Sequence, residues 1–296
     1  MLVFVLGAAS YPAQKKKNPR PSYAKADKQL LSKAKAGNAL AQLALGEAYD
    51  NGAGVPKDFA QGADWYRKAA EQGMAQAQYD LGVDYANGQG VPQDNTQAAL
   101  WFRKAAEQGL TEAQYNLGMF YENGTGVPKD LAQAAAWYRK AADQGMAEAQ
   151  FSLGALYDAG QGVTQDAAQA ALWYRKAADQ GDAEAQFNLG ELYREGRGVP
   201  LDLAQAAAWY RKAAEQGEAN AQVRLGGLYF LGQGVPQDHA EAYFWFGLAL
   251  AGKPVVVTRD VVAQAQAMAA SHLNKDQLAQ LQVRAQKWLA AHTLQP

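Results

Sequence analysis

Side chains that commonly perform chemistry are few in this sequence. The chain of 296 residues has three histidines, His239, His272 and His292, and no cysteine. The histidines form no pair at the i, i+4 spacing that places two zinc ligands on one helix face. Without cysteine there is no thiol nucleophile, thiolate metal site or disulfide. We therefore expect neither a metal ion nor a cofactor.

Other candidate catalytic groups have simpler interpretations. Ser152 lies in Phe-Ser-Leu-Gly, not in the Gly-x-Ser-x-Gly turn of serine hydrolases. Asp80 and Asp84 are one helical turn apart, and paired carboxylates can act as acid and base. A solvated helix face is the interpretation that we favour for this pair. The sequence predicts no catalytic residue, and we expect that the protein is not an enzyme.

Glycine-rich and basic segments recur without the context that binds phosphates. The segment Gly-x-Gly-Val-Pro, as at residues 88–92, lacks the Lys-Ser/Thr of a P-loop. Arg-Lys pairs such as Arg103 and Lys104 are followed by Glu or Asp four residues after the arginine, which gives a surface of mixed charge. The formal net charge is -1. We expect no nucleic-acid partner.

A repeated unit accounts for these glycines and Arg-Lys pairs. The string Ala-Gln-x-x-Leu-Gly ends at Gly46 and recurs every 36 residues through Gly226, and a tyrosine follows three residues later each time. An aspartate recurs with the same period from Asp58 to Asp238. This regularity, without insertion or deletion, indicates a tandem array of one structural unit.

Each unit is predicted to form two helices joined by the Gly-x-Gly-Val-Pro loop. The aspartate should cap the second helix, and Gln or Glu three residues later has the spacing of a capping box, in which that side chain bonds back to the N-cap N–H. The first helix of the third unit should run over about 111–122, where Gly118 allows a neighbouring helix to approach. We interpret the periodic tryptophans as core; they are residues 65, 101, 137, 173, 209 and 245. Alanine makes up more than a fifth of the chain and isoleucine is absent, which favours helices over strands.

These motifs resemble a known repeat family. Ala-Gln-x-x-Leu-Gly, Tyr-x-x-Gly-x-Gly-Val-x-x-Asp and Trp-Tyr-x-Lys-Ala-Ala-x-x-Gly are similar to the Sel-one-like repeat (SLR), a relative of the tetratricopeptide repeat, over about residues 38–252. The resemblance implies an all-α fold, a right-handed α-solenoid of 36-residue helix-turn-helix repeats. It also implies an interaction scaffold or adaptor that binds a partner protein or an extended peptide along a concave groove. The alternative is a cell-envelope enzyme that binds or hydrolyses β-lactams or peptidoglycan, although the cysteines of the relatives linked to that activity are absent here.

Candidate partner-binding residues lie on the first helices, which line the concave groove in this repeat class. Residues equivalent to 40, 44, 47 and 51 share one helix face, and their identity varies between units while the positions between them hardly vary. The candidates are Asp80, Val83, Asn87, Asn116, Met119, Asn123, Asn188, Glu191, Glu195 and Arg224. The alternative is that these positions vary because they are exposed and unconstrained.

The two ends of the chain differ from the array. Residues 2–9 resemble the apolar part of a signal peptide without its basic segment, with Ala8 and Ser10 at possible cleavage positions. We therefore expect a periplasmic or secreted protein, with the cytoplasm as the alternative. We assign residues 1–22 to a signal-peptide remnant and linker. Residues 23–252 form the solenoid with an N-terminal partial unit, and residues 253–296 form C-terminal capping helices. No apolar stretch is long enough to span a membrane, and we expect a monomer.

Overall fold

The computed structural model describes residues 27–252 and 257–292. Over these residues the chain is all-α, with fifteen helices and no strand. The helices are α1 Lys28–Lys35, α2 Ala39–Asn51, α3 Phe59–Glu71, α4 Ala75–Asn87, α5 Asn95–Glu107, α6 Thr111–Asn123, α7 Leu131–Asp143, α8 Ala147–Ala159, α9 Ala167–Asp179, α10 Ala183–Glu195, α11 Leu203–Glu215, α12 Ala219–Leu231, α13 His239–Ala251, α14 Arg259–Ala270 and α15 Lys275–His292. Residues 2–10 lie outside the described residues, so export stays a prediction.

The helix pairs from α2–α3 to α12–α13 are the repeats, which confirms the all-α repeat solenoid. In α4, α6, α10 and α12, the first helix of a repeat packs against the second helix of its own repeat and against that of the preceding repeat. Two further helices, α14 and α15, follow the last repeat, and Val262 and Leu281 of these helices are buried against it.

The chain divides into two compact units. Among the described residues, the first unit comprises 27–149 and 161–163, and the second comprises 150–160, 164–252 and 257–292. Each unit has its own buried core, made of the repeated alanines and leucines together with the aromatic residues of the second helices.

Each second helix begins at an aspartate that caps it, as predicted. Oδ1 of Asp94 accepts hydrogen bonds from the backbone N–H groups of Thr96 (2.9 Å) and Gln97 (3.0 Å). The predicted return bond of a capping box is wrong, because the N–H of Asp94 donates to the carbonyl oxygen of Tyr85 instead (2.9 Å). The backbone carbonyl of the repeated tyrosine therefore accepts from the aspartate N–H, in place of the glutamine side chain that the capping-box spacing predicted.

The repeated glycine of the first helix makes room for an aromatic ring. A β-carbon on Gly226 would lie 2.9 Å from Cδ1 of Phe246 in α13, and one on Gly118 would lie 2.6 Å from Cδ1 of Tyr138 in α7. The close approach predicted at Gly118 is thus confirmed, and it is made by the ring that follows the tryptophan in the second helix.

The second glycine of each loop fits against the preceding repeat. A β-carbon on Gly126 would lie 2.1 Å from the carbonyl oxygen of Asn95, at the start of α5. On Gly234 it would lie 2.3 Å from the carbonyl oxygen of Leu203, at the start of α11. No side chain fits at such distances, so backbone contact between successive repeats requires glycine here, in addition to its positive φ.

Buried glutamines connect the helices through a relay of hydrogen bonds. Gln186 in α10 is 4 % exposed, and its Nε2 donates to the carbonyl oxygen of Ala178 in α9 (3.1 Å). Its Oε1 accepts from Nε2 of Gln216, which follows α11 (2.8 Å). Gln42, Gln78 and Gln114 make the same two kinds of bond in the first unit. Because both ends of each amide are satisfied, these polar groups are buried without the cost of an unpaired donor or acceptor.

The Arg-Lys pairs pack on aromatic residues. Trp137 is buried, as predicted for the periodic tryptophans, and Nζ of Lys140 lies 3.7 Å from the centre of its ring. Arg103 donates to the hydroxyl of Tyr121 in the next repeat (2.5 Å). The charged ends of these basic residues therefore interact with aromatic side chains of the array.

The two neighbouring glycines of α12 offer a matched test of the ring contact. We expect Gly226→Ala to lower the free energy of unfolding by about 1–3 kcal/mol, because the new methyl group overlaps Phe246. A β-carbon on Gly227 meets nothing within 4 Å, so Gly227→Ala should raise stability by up to about 1 kcal/mol through helix propensity. Urea denaturation of both variants measures this. Equal effects would contradict the packing role of Gly226.

The relay predicts a similar contrast between two glutamines. Gln186→Leu removes the acceptor of the Gln216 amide and one bond to the carbonyl of Ala178, which keeps its bond from the N–H of Gly181 (3.0 Å). We expect a loss of about 1 kcal/mol in unfolding free energy. Gln233→Leu changes an exposed loop glutamine and should cost less than about 0.5 kcal/mol. Thermal unfolding followed by circular dichroism compares the two, and a Gln186→Leu protein as stable as the wild type would contradict the relay.

Candidate partner-binding face

The candidate residues of the first unit lie on α4 and α6, and they differ widely in exposure. Asp80, Val83 and Asn116 are buried, at 3 %, 2 % and 4 % exposure. Met119 is half-buried, and Asn87 and Asn123 are exposed at the C-terminal ends of the two helices. Of these six candidates, only the two terminal asparagines are exposed.

Two of the buried polar candidates are held by neighbouring side chains. Oδ1 of Asp80 accepts from Nε2 of Gln76 (3.2 Å). Nδ2 of Asn116 is 3.5 Å from the hydroxyl of Tyr79, on the first helix of the preceding repeat. Variation at these positions is thus accompanied by polar contacts inside the array, and exposure alone does not account for it.

Asp80 and Asp84 do not form a solvated helix face, and that interpretation is wrong. Asp84 is 1 % exposed, at a position where the other repeats have alanine, leucine or phenylalanine. Burial raises the pKa of the Tyr66 hydroxyl far above the ordinary tyrosine value of 10, and nearby carboxylates raise it further. Those carboxylates belong to Asp80, Asp50, Asp84 and Glu47. A cluster of four carboxylates thus lies around the hydroxyl end of Tyr66.

Carboxylates also accompany the equivalent tyrosines of other repeats. The hydroxyl of Tyr66 donates to Asp50 (3.0 Å), and that of Tyr138 donates to Glu122 (2.5 Å). Where the ring is phenylalanine, at 102 and 246, the residue equivalent to Asp50 is Ala86 or Phe230. The sequence analysis missed this correlation, although comparing the repeats with each other reveals it.

In the second unit, Glu191 is the centre of a network that spans two first helices. It accepts hydrogen bonds from Arg194 (2.8 and 3.1 Å), from Arg224 of α12 (3.0 and 3.1 Å) and from the hydroxyl of Tyr210. Burial of Glu191 opposes its ionisation, but the bonds and charges of these partners outweigh that effect and lower its pKa below the ordinary value of 4.5. Glu191 is therefore an ionised acceptor that joins α10 to α12.

The same network extends to residues that the sequence analysis did not select. Arg197, in the loop after α10, donates to Asp158 of α8 (2.6 Å) and to Glu195 (2.7 Å). Glu195 also pairs with Arg194. Asn188 is half-buried beside Tyr174. The charged candidates of the second unit are thus paired with one another, while Glu195 and Leu231 remain exposed.

Two kinds of feature are absent from the described residues. Nowhere in residues 27–252 and 257–292 are three or more histidine, aspartate or glutamate side chains arranged to hold a metal ion. Within the same residues, no helix has the length and apolarity needed to cross a bilayer. A cleft of about 500 Å³ in the first unit is lined by side chains of both charges, including Arg103, Glu107 and Lys129.

The family model described as Sel1 repeat matches six segments that coincide with the helix pairs; they are residues 39–74, 75–110, 111–146, 147–182, 183–218 and 219–252. The chain therefore belongs to the Sel1 repeat family. Proteins of this family are generally protein-interaction scaffolds and are typically non-catalytic. The resemblance seen in the sequence is confirmed, and the alternative of a cell-envelope enzyme receives no support.

Several solved structures are similar to the chain. A Sel1 repeat protein from Oxalobacter formigenes is 35 % identical with a TM-score of 0.61, and the match covers 75 % of this chain and 95 % of that one. A protective antigen of uropathogenic Escherichia coli strains, which displays an SLR fold, is 27 % identical over 88 % of this chain and 86 % of its own, with a TM-score of 0.46. Helicobacter pylori cysteine rich protein B is 32 % identical over 44 % of this chain and 92 % of its own, with a TM-score of 0.35. A comparison with curated protein sequences gives no match.

The Glu191 network predicts a pH-dependent contribution to stability. Glu191→Gln should lower the unfolding free energy by about 1–3 kcal/mol at neutral pH, because two arginines lose a half-buried charged acceptor. Since the folded-state pKa of Glu191 is lowered, its contribution is fully present above pH 4.5 and is lost as the pH falls through the folded-state value. Glu195→Gln, at an exposed member of the network, should cost less than about 1 kcal/mol. Denaturation of both variants at pH 7 and pH 3.5 measures the difference, and a penalty for Glu191→Gln that does not shrink at pH 3.5 would contradict this assignment.

Proposed function

We propose that this protein is a non-enzymatic scaffold that binds an extended segment of a partner protein along the face of its first helices. Membership of the Sel1 repeat family supports the general role, since proteins of this family mediate protein interactions. The groove predicted on this face and the nature of the partner are the parts that we add.

The proposal rests mainly on the exposed and variable end of the first-helix face. The invariant positions of the repeat are used in the aspartate caps, the glutamine relay and the glycine–ring contacts. The positions at the C-terminal ends of the first helices vary between units, and Asn87 and Asn123 lie exposed there in the same register of successive repeats. An asparagine amide both donates and accepts, so a row of them suits the alternating N–H and C=O groups of an extended peptide.

The proposal gives the candidates different roles according to their burial. Asp80, Val83 and Asn116 are buried, and Glu191 and Arg224 are bonded to each other. In the proposed function these residues set the local structure of the face, while Asn87, Asn123 and Glu195 make the contacts. A preformed helical array lowers the entropic cost of binding, because the surface does not need to be ordered.

The decisive experiment uses the purified full chain as bait, with cross-linking mass spectrometry of the proteins that it captures from its native host. We expect cross-links to map to the ends of α4 and α6, and we expect Asn87→Ala/Asn123→Ala to weaken binding of the recovered partner at least about tenfold, which corresponds to 1.4 kcal/mol. The matched control, Thr96→Ala/Gln133→Ala, changes exposed residues of the second helices and should bind like the wild type.

Two outcomes would overturn the proposal. Binding that is unchanged by the asparagine substitutions but lost in the control variant would move the contact to the second helices. Hydrolysis of nitrocefin by the purified chain would instead favour the enzyme alternative, provided that substitutions on the first-helix face leave the hydrolysis unchanged.

A further inference from the structure

The last helix, α15, lies across the second helices of the last two repeats. The guanidinium group of Arg284 bonds to Glu241 of α13 (2.5 Å) and lies 3.8 Å from the ring centre of Phe244 in the same helix. Further along α15, Nε2 of His292 is 3.0 Å from the carbonyl oxygen of Glu215 in α11. The step from Arg284 to His292 is about 12 Å long in a helix, which is enough to cross from one helix to a neighbour whose axis is roughly 8–10 Å away. We conclude that α15 bridges α11 and α13.

One face of α15 makes this contact. Leu281 is buried, and Ala285, Trp288 and Leu289 are partly buried against the same core. Together with Arg284 they have the i, i+3, i+4, i+7 and i+8 spacing of a single helix face, which is typical of an amphipathic helix that binds in a groove. The chain thus contains one example of a helix bound across its second helices.

The residue that α15 covers is exposed in the other repeats. Phe244 is 3 % exposed. The residues at its position in the other five repeats are all exposed; they are Asp64, Leu100, Ala136, Leu172 and Ala208. Leu100 is 44 % exposed although its side chain is large and apolar. This position is therefore buried where α15 lies across it and exposed elsewhere.

An open cleft lies at the equivalent place in the first unit, between α5 and α7. Glu107 lines this cleft and corresponds to Glu215, which α15 reaches in α11. Gln133 also lines it and corresponds to Glu241, the partner of Arg284. The volume of about 500 Å³ is in the range of roughly 300–1,000 Å³ that is typical of ligand pockets. We call this site the α5–α7 cleft.

The apolar side chains of the two sites lie on opposite walls. Where α13 has Phe244, α7 has Ala136, and where α11 has Ala208, α5 has Leu100. Leu100 is three residues before the lining residue Arg103 and therefore lies on the same face of α5. The small residue on α7 leaves room for a large side chain of a bound helix, and Leu100 offers that side chain an apolar contact.

The charge at one end of the α5–α7 cleft is the reverse of that beneath α15. Lys129 lines the cleft at the position of Gln237, and Gln133 stands at the position of Glu241. A residue like Arg284 would thus meet a lysine instead of a carboxylate. Complementary charge at this end requires a carboxylate on the bound helix.

The other charged residues of the cleft do not cancel this preference. Oδ1 of Asp130 accepts from two backbone N–H groups at the start of α7 (each 3.0 Å), and Arg103 donates to the hydroxyl of Tyr121 (2.5 Å). Glu107 lies in the last turn of α5, at the end that corresponds to the one His292 reaches in α11. A hydrogen-bond donor at the C-terminal end of the bound helix suits this carboxylate.

We propose that the α5–α7 cleft binds an amphipathic helix of a partner protein, in the way that α15 binds across α11 and α13. The bound helix has large apolar side chains that contact Leu100 and fill the space beside Ala136. At the place of Arg284 it has a carboxylate that pairs with Lys129. This site goes beyond the proposed function, since it lies on the second helices and takes a helix instead of an extended segment.

Two synthetic peptides serve as probes of the purified full chain. One has the sequence of residues 275–292, and the other has the same sequence with Arg284→Glu. Because α15 is tethered beside its own site at an effective concentration of roughly millimolar, micromolar peptide leaves it in place. Fluorescence anisotropy of the labelled peptides measures Kd, and we expect the Arg284→Glu peptide to bind about threefold to tenfold more tightly.

Three variants of the chain locate the site. Lys129→Glu should reverse the preference, so that the unchanged peptide binds about threefold to tenfold more tightly. Leu100→Glu should weaken binding of the Arg284→Glu peptide at least about tenfold, because it places a charge in the apolar contact. The matched control Leu172→Glu changes a leucine that is 46 % exposed at the same position of α9 and should bind like the wild type. Circular dichroism checks that each variant, altered at an exposed residue, is folded.

Several results would overturn the proposal. Equal affinity of the wild-type chain for the two peptides would do so, as would a Lys129→Glu chain that keeps the original preference. Weakening by Leu172→Glu as large as that by Leu100→Glu would show that the peptide does not bind in the α5–α7 cleft. Self-association of the chain without peptide, abolished by Leu100→Glu, would assign the cleft to a second copy of the chain instead.

Discussion

The buried glutamine relay is the interaction on which the rest of the array depends. Each side-chain amide needs a donor and an acceptor in a site away from water. For Gln186 these are the Gln216 amide after α11 and the carbonyl of Ala178 in α9. A displaced helix would leave both groups unpaired, which is more costly than the loss of an ordinary apolar contact. The relay therefore fixes the register between helices, and the glycine–ring contact then sets how closely the two helices of a repeat approach. The small side chains of the alanine-rich second helices are consistent with such close packing.

Much of the fold could be predicted from the sequence because its signals are local. The aspartate caps and the two-helix pattern of each unit depend on residues a few positions apart. The true partner of the aspartate N–H could not be predicted in this way, since the carbonyl of Tyr85 reaches Asp94 only after the loop has closed. Likewise, the second loop glycine meets a backbone carbonyl one repeat earlier, and no spacing within a single unit reveals that neighbour.

The candidate face was harder to predict because the periodicity shows which side of a helix a residue lies on and does not show how deeply its side chain is buried. Asp80, Asn123 and Glu191 share one predicted helix face, yet the first is buried, the second is exposed and the third is held by two arginines. What distinguishes them is the residue that faces each from another helix, such as the hydroxyl of Tyr66 or Tyr210. For Tyr66 and Tyr138, the carboxylates of Asp50 and Glu122 could be found by comparing one repeat with another. Tyr210 has Arg194 at that position and donates to Glu191 instead.

The loop glycines also bear on how such a chain can change its length. Gly126 fits only against the start of the second helix one repeat earlier, and Gly234 has the same relation to its own neighbour. Removing or duplicating 36 residues would recreate an equivalent junction at the point of change, whereas a shift of one residue would drive a side chain into a backbone carbonyl. Recombination between near-identical repeats in the gene can therefore alter the number of units while each surviving junction stays intact. The number of repeats is the property that such an architecture can vary most easily in evolution.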